Sequence, residues 1–203
     1  MNDGAQFSEA DLAPSPEERA ASRRSLIDRV AASVAALAAG AWVGGIVALG
    51  ACAAPFVFRL APAPFSGDAM SAAFARFDQF ALGAAVILLG AEVARTWAAY
   101  RQGAGRAARV RRLVAMVLAG CAAYVGLALT PRIAALHREG VRRGEGELGM
   151  ELERVHRRAE LVSKSEVFLG ASLVLLHVFT LGARRPEQDD DEEAAAPLPP
   201  GPR

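Results

Sequence analysis

The sequence predicts an all-α fold: an integral membrane bundle of four transmembrane helices, with an amphipathic helix before the last span. Two observations lead to this prediction. Of the 203 residues 53% are hydrophobic, and they are concentrated in four blocks separated by arginine-rich polar segments. Apolar blocks of this length are typical of helices that cross a lipid bilayer.

Composition divides the chain into three parts. Residues 1–25 are a polar cytoplasmic segment, residues 26–184 are the transmembrane domain, and residues 185–203 are an acidic, Pro-rich tail that we expect to be disordered. The predicted spans are residues 30–58, 80–100, 113–130 and 167–183. At 1.5 Å per residue the first is roughly 43 Å long, so it must tilt, bend or protrude from a hydrocarbon core about 30 Å thick.

Local signals predict where helices begin and end. Ser15, Pro16 and Glu18 form the pattern of a capping box, with Ser15 as the N-cap and Pro16 at the first helical position. A helix should therefore begin here and lead into the membrane. Pro131 should end the third span, because proline lacks a backbone N–H and its ring clashes with the preceding turn.

The segment 144–165 is charged but periodic. Its apolar residues recur at three- and four-residue steps, at Leu148, Leu152, Val155, Ala159 and Val162. This spacing predicts an amphipathic helix that lies either on the membrane or on the bundle.

Arginines beside the spans predict the orientation. Three groups fall on one side of a four-span bundle, namely Arg23, Arg24 and Arg29; Arg101, Arg106, Arg109, Arg111 and Arg112; and Arg184 and Arg185. Both termini should therefore be cytoplasmic. The third connection is also rich in arginine, but there the basic residues are interleaved with glutamates.

Heavy use of Ala, Gly and Arg with a single lysine indicates a GC-rich bacterial genome, and hence a cell inner membrane.

Three ionisable residues lie inside the predicted spans, Glu92, Arg95 and His177. Counted from the cytoplasmic ends, their depths are about 13, 9 and 10 Å, so they should form one layer. An unpaired charge at the bilayer centre costs about 2.5 to 3.5 kcal/mol on insertion scales, so Glu92 and Arg95 should face each other or the bundle interior. The layer is either a structural polar cluster that holds the helices in register or part of a proton or solute path.

Gly40 and Gly44, flanked by Ala36 and Ala48, form a strip of small residues on one face of the first span. Such strips let helices approach closely in lipid. We expect contact with a neighbouring span of the same chain, with association between chains as the alternative.

Several classes of function are disfavoured. Twenty-three basic and 22 acidic residues nearly cancel, which argues against nucleic-acid binding. Cys52, Cys121 and Met116 are soft ligands, but the two cysteines differ in depth by about 6 Å when counted from the outer ends and by more from the cytoplasmic ends, which disfavours a shared site. Both cysteines are expected to be packing residues, so neither a metal nor another cofactor is expected. A bis-histidine haem site would need a second intramembrane histidine besides His177. Lipidation at Cys52 is disfavoured because a long apolar span, rather than a signal peptide, surrounds it.

Four short motifs resemble a known family. The first span closes with Ala54-Pro55-Phe56-Val57-Phe58, where Ala54, Pro55 and Phe58 are the most specific part, and Ala72 to Asp78 leads into the second span. Thr130-Pro131-Arg132-Ile133 closes the third span, and residues 157–165 precede the fourth. Over roughly residues 30–183 the chain resembles the transmembrane protein 205 family (domain of unknown function 4149). The resemblance implies a fold of four helices and supplies neither a reaction nor catalytic residues.

The functional expectation is therefore coarse. The sequence contains neither a nucleophile with a nearby base nor paired carboxylates at active-site spacing, so it gives no support for an enzyme. We expect a non-enzymatic accessory, stress-tolerance or assembly component of the inner membrane. The alternative is a transporter of small solutes or soft metal ions that uses Glu92, Arg95 and His177. The expected partners are the lipid bilayer and either a second copy of the chain or another membrane protein.

Overall fold

The computed structural model describes residues 13–62, 65–100 and 105–182, and every regular element within them is a helix. Span 1 runs from Pro16 to Leu60, span 2 from Phe65 to Ala98 and span 3 from Arg106 to Arg138. Span 4 is the helix Gly146–Gly182. All four are long and apolar enough to cross a membrane, which confirms the predicted multi-pass bundle. The predicted tail at 185–203 and residues 1–12 lie outside the described part of the chain.

The start of span 1 follows the predicted capping box. The Ser15 hydroxyl accepts a hydrogen bond from the backbone N–H of Glu18 at 3.2 Å, and the Glu18 carboxylate accepts one from the Ser15 N–H at 2.6 Å. These two bonds satisfy donors that a helix start otherwise leaves without partners. From here the helix continues into the apolar block without a break.

Span 1 and span 3 each contain a π-helical segment directly before a proline. In span 1 the α-helix Pro16–Val47 gives way to the π-helix Ala48–Ala53 and then to the α-helix Ala54–Leu60, where Pro55 lies in the first turn. In span 3 the order is Arg106–Tyr124, then the π-helix Val125–Leu129, then Thr130–Arg138 with Pro131 in its first turn.

The expectation that Pro131 ends the third span is therefore wrong. Thr130, directly before the proline, donates its N–H five residues back to Val125, and Ala54 does the same to Leu49 before Pro55. This wider turn moves aside the carbonyl that a proline ring would meet in a regular α-helix. Each span can then continue for several residues beyond its proline.

Small residues let the four spans approach closely. Ala32, Ala35 and Ala39 on span 1 are fully buried, and Ala35 and Ala39 share a core with leucines from the other spans. Those leucines are Leu88, Leu118 and Leu173. In lipid such close packing holds helices together where the hydrophobic driving force is weak.

Gly40 and Gly44 do not take part in this core. Both are exposed, and a Cβ atom added at either would meet no described atom within 4 Å. This corrects the expectation that they contact a neighbouring span of the same chain. Gly45 and Gly170 make the close approaches instead, against Phe77 and Val43 respectively. Association between chains through the Gly40 face stays a prediction.

The amphipathic segment is not a separate helix, because it is the first half of span 4. Most of its apolar strip faces the bundle, whereas Leu148 is exposed. Val155 forms a buried cluster with Val125 and Leu129 of span 3, and Ile133, Ala159 and Val162 pack against this cluster. The bundle therefore extends past the apolar core at the end where spans 3 and 4 are connected.

This packing predicts a contrast between two leucines one turn apart. Leu152 is 1% exposed and Leu148 is 47% exposed. Leu152→Asp should place a charge on the buried face of span 4, loosen the extension and speed tryptic cleavage at Arg142 and Arg143, whereas Leu148→Asp should leave cleavage near the wild-type rate. Equal cleavage rates in the two variants, measured on purified protein in detergent, would contradict the packing.

Candidate functional site

Arg95 lies at the centre of a buried polar cluster that joins three spans. Its side chain is 1% exposed. The Nε group donates to Asp28 Oδ1 of span 1 at 3.0 Å, and one terminal nitrogen lies 2.7 Å from His177 Nδ1 of span 4. The other terminal nitrogen donates to Thr180 Oγ1 at 3.3 Å. The planar fork of the guanidinium suits it to bind several partners at once.

Glu92 brings span 3 into the same cluster. Its Oε1 accepts a hydrogen bond from Arg111 Nε at 2.7 Å, and both side chains are about 5% exposed. The same oxygen lies 3.5 Å from His177 Nε2. We call the five residues Asp28, Glu92, Arg95, Arg111 and His177 the ionic cluster. It contains at least one side chain from every span.

The ionic cluster is balanced in charge. Two carboxylates face two guanidinium groups, and each pair lies within hydrogen-bonding distance. Because Arg95 can only donate, His177 Nδ1 must accept, so the proton of a neutral imidazole sits on Nε2 and faces Glu92. The histidine then adds no net charge and connects the two ion pairs.

The structure therefore brings Glu92, Arg95 and His177 together, as counting along the helices predicts. Glu92 and Arg95 both face the bundle interior, but each pairs with another span rather than with the other. Asp28, Arg111 and Thr180 were missed. Arg111 was counted among the arginines that flank spans, and Asp28 lies among arginines just before the first apolar block.

A signal for the missed residues was present. Asp28 continues the buried stripe of Ala32, Ala35 and Ala39, and Arg111 continues the stripe of Ala115 and Leu118. Each lies three or four residues before the first apolar member of its stripe, so it shares that face of the helix. Periodicity extended one turn beyond each span would have placed both charges inside the bundle.

The soft ligands and the family-like motif lie elsewhere. Cys52 is exposed, Cys121 is half-buried and Met116 is 56% exposed. Among the described residues there is no group of three or more His, Cys, Asp or Glu side chains that could hold a metal ion. Pro55 and Phe58 are exposed near the far end of span 1 from Asp28. The chemistry concentrated in the ionic cluster is thus charge pairing and hydrogen bonding.

Comparison with known proteins identifies a family but assigns no activity. Residues 37–142 match a family model described as a domain of unknown function (DUF4149), which is just over half of the chain. No curated protein and no solved structure matches the chain. The matched stretch contains Glu92, Arg95 and Arg111 but neither Asp28 nor His177.

The ionic cluster predicts a large difference between two Arg–Glu pairs. Arg111 pairs with Glu92 in the interior, whereas Arg132 pairs with Glu151 at 2.7 Å with side chains 44% and 31% exposed. Arg111→Gln leaves a buried carboxylate without its cation and should lower the free energy of unfolding in detergent by about 3 to 5 kcal/mol. Arg132→Gln removes an exposed pair and should change it by less than about 1 kcal/mol. Similar losses in both variants would show that the interior pair contributes no more than a surface pair.

Proposed function

We propose that this chain, which belongs to the DUF4149 family, acts in the membrane as a non-enzymatic accessory, stress-tolerance or assembly component. The observation that carries the proposal is the pairing within the ionic cluster. Both carboxylates have a guanidinium partner within 3.0 Å, and the partners come from different spans. Charges paired in this way between helices fix the helices relative to one another.

A catalytic or transport site needs groups that can exchange partners with a substrate. Arg95 already uses its Nε and both terminal nitrogens on neighbouring side chains, and Arg111 uses its Nε on Glu92. Displacing one partner would leave a charge buried without compensation, which costs several kcal/mol. The cluster is therefore better suited to holding the bundle than to turning over a ligand.

The apolar layer next to the cluster supports the same interpretation. Leu88, Leu118 and Leu173 are at most 1% exposed and fill the middle of the bundle. A solute or ion that entered the ionic cluster would meet this packed layer before it reached the other end. Such a layer favours a closed scaffold over a pore.

We also propose where the protein acts. The heavy use of Ala, Gly and Arg supports a bacterial inner membrane, and the arginine groups beside the spans support a cytoplasmic location of both termini. Its partner would be a second copy of the chain or another membrane protein. The exposed face around Gly40 and Gly44 supports such a contact, because nothing in the described part of the chain covers it.

One observation favours the transporter as a second candidate. Glu92 Oε2 and His177 Nε2 are buried and make no hydrogen bond of normal geometry with the described residues. These two atoms belong to adjacent side chains, and a carboxylate beside an imidazole is a common proton relay in transporters. A relay of this kind requires that Glu92 be ionisable.

A double variant in which both members of one ion pair are replaced by neutral residues distinguishes the two functions. Growth of a deletion strain across metal salts and toxic solutes first defines a phenotype, and chromosomal variants are then compared. Glu92→Gln combined with Arg111→Gln removes both charges of one pair and keeps side chains that can hydrogen-bond. If the cluster only holds the bundle, this double variant should restore the protein level and tolerance that Arg111→Gln alone loses. If Glu92 is a relay, the double variant should stay sensitive at a normal protein level, and His177→Ala should share that phenotype.

The orientation is tested separately with reporter fusions. A fusion after Gly182 should report a cytoplasmic location, and one within residues 139–145 should report the periplasm. A periplasmic signal from the C-terminal fusion would reverse the proposed topology. It would leave the ionic cluster unchanged, since that cluster does not depend on which side faces the cytoplasm.

A further inference from the structure

A second polar group lies at the other end of the apolar layer. Glu166 of span 4 is 4% exposed and is three helical turns, about 16 Å, from His177 on the same face. Asp78 of span 2 is half-buried and interacts electrostatically with Glu166. We call Asp78 and Glu166 the acidic pair.

The acidic pair is surrounded by groups from the other two spans. From span 1, the indole of Trp42 lies beside the Glu166 carboxyl. From span 3, the hydroxyl of Thr130 donates to Asp78 Oδ2 at 2.5 Å, and the thiol of Cys121 interacts with Glu166. Within the described residues, no basic side chain forms an ion pair with either member.

Glu166 has a neutral hydrogen-bonding neighbour and no charged one. The indole of Trp42 lies beside its carboxyl, although Glu166 Oε1 and Trp42 Nε1 are not joined by a hydrogen bond of normal geometry, and Trp42 is 1% exposed. An indole N–H donates without carrying a charge, so it cannot compensate a buried carboxylate. The ionic cluster shows the usual solution in this chain, since its carboxylates Asp28 and Glu92 each have an arginine.

The missing counter-charge limits what the site can bind. An unpaired carboxylate buried in the bundle is unfavourable, and a second carboxylate nearby makes it more so. A cation must therefore compensate it. A metal ion would need several ligands, and the described residues hold no group of three or more suitable side chains. A proton needs one carboxyl oxygen and no coordination shell.

We propose that Glu166 is a proton-binding site of the bundle, with the half-buried Asp78 as its contact with solvent. Uptake forms an O–H bond on the Glu166 carboxyl and breaks one in a hydronium ion, which leaves as water. The resulting carboxylic acid is neutral. Leu173 separates Glu166 from His177, so the proton is bound at this end and is not passed to the ionic cluster. This site goes beyond the proposed scaffold role and does not depend on it.

Dicyclohexylcarbodiimide tests the proposal on the wild-type protein in detergent or nanodiscs. This apolar reagent takes the proton of a carboxylic acid, bonds through its central carbon to the carboxylate oxygen and rearranges to a stable N-acylurea. Trypsin releases a peptide from Ser165 to Arg184 in which Glu166 is the only carboxylic side chain. An adduct on that peptide, measured by mass spectrometry, therefore assigns the reaction to Glu166.

The expected result is labelling of Glu166 that falls as the pH of the reaction is raised, because only the protonated acid reacts. Glu92 is the internal control, located by fragment ions because its tryptic peptide, residues 77–95, also contains Asp78. It is equally buried but paired with Arg111, so it should stay unlabelled in the wild type and become labelled in Arg111→Gln. Absence of an adduct on Ser165 to Arg184 at every pH, or equal labelling of Glu166 and Glu92 in the wild type, would overturn the proposal. Protection by sodium chloride but not by choline chloride would also overturn it, because the site would then bind a metal cation.

Discussion

A guanidinium buried between helices must keep all of its partners, because arginine does not lose its charge inside a protein. Arg95 meets this condition by donating to Asp28 on span 1 and by reaching His177 and Thr180 on span 4. A rotation of span 1 or span 4 by one residue would break at least one of these bonds. The bundle therefore has a fixed register at this end, and the alanine stripe of span 1 meets the facing leucines in that register.

Buried carboxylates have different surroundings at the two ends of the apolar layer. In the ionic cluster at one end, two carboxylates pair with two arginines across spans. At the other end, Asp78 and Glu166 form no ion pair with the described residues. The π-helical segment Val125–Leu129 lies on the same span as Thr130, whose hydroxyl bonds to Asp78. Such segments are frequent at functional sites, where they change the direction of nearby side chains.

The number of spans and the meeting of Glu92, Arg95 and His177 could be predicted, because both follow from the constant rise of a helix and from the cost of charge in lipid. The roles of Asp28 and Arg111 could not be inferred from charge alone, since residues at a span border can equally face water. The continuation of span 3 past Pro131 depends on a widened backbone turn, which no residue type encodes by itself. Glu166 was missed for a related reason: it lies directly before the predicted fourth span and was counted with the charged connection.

The buried carboxylates are compensated by arginines at one end of the bundle and, on our proposal, by a proton at the other. In the ionic cluster each carboxylate has an arginine partner, so its charge is already compensated. At the acidic pair the opposite holds, because a proton on Glu166 removes an uncompensated charge and leaves none behind. On our proposal a proton therefore binds at the end with Glu166, whereas the carboxylates of the ionic cluster already have arginine partners.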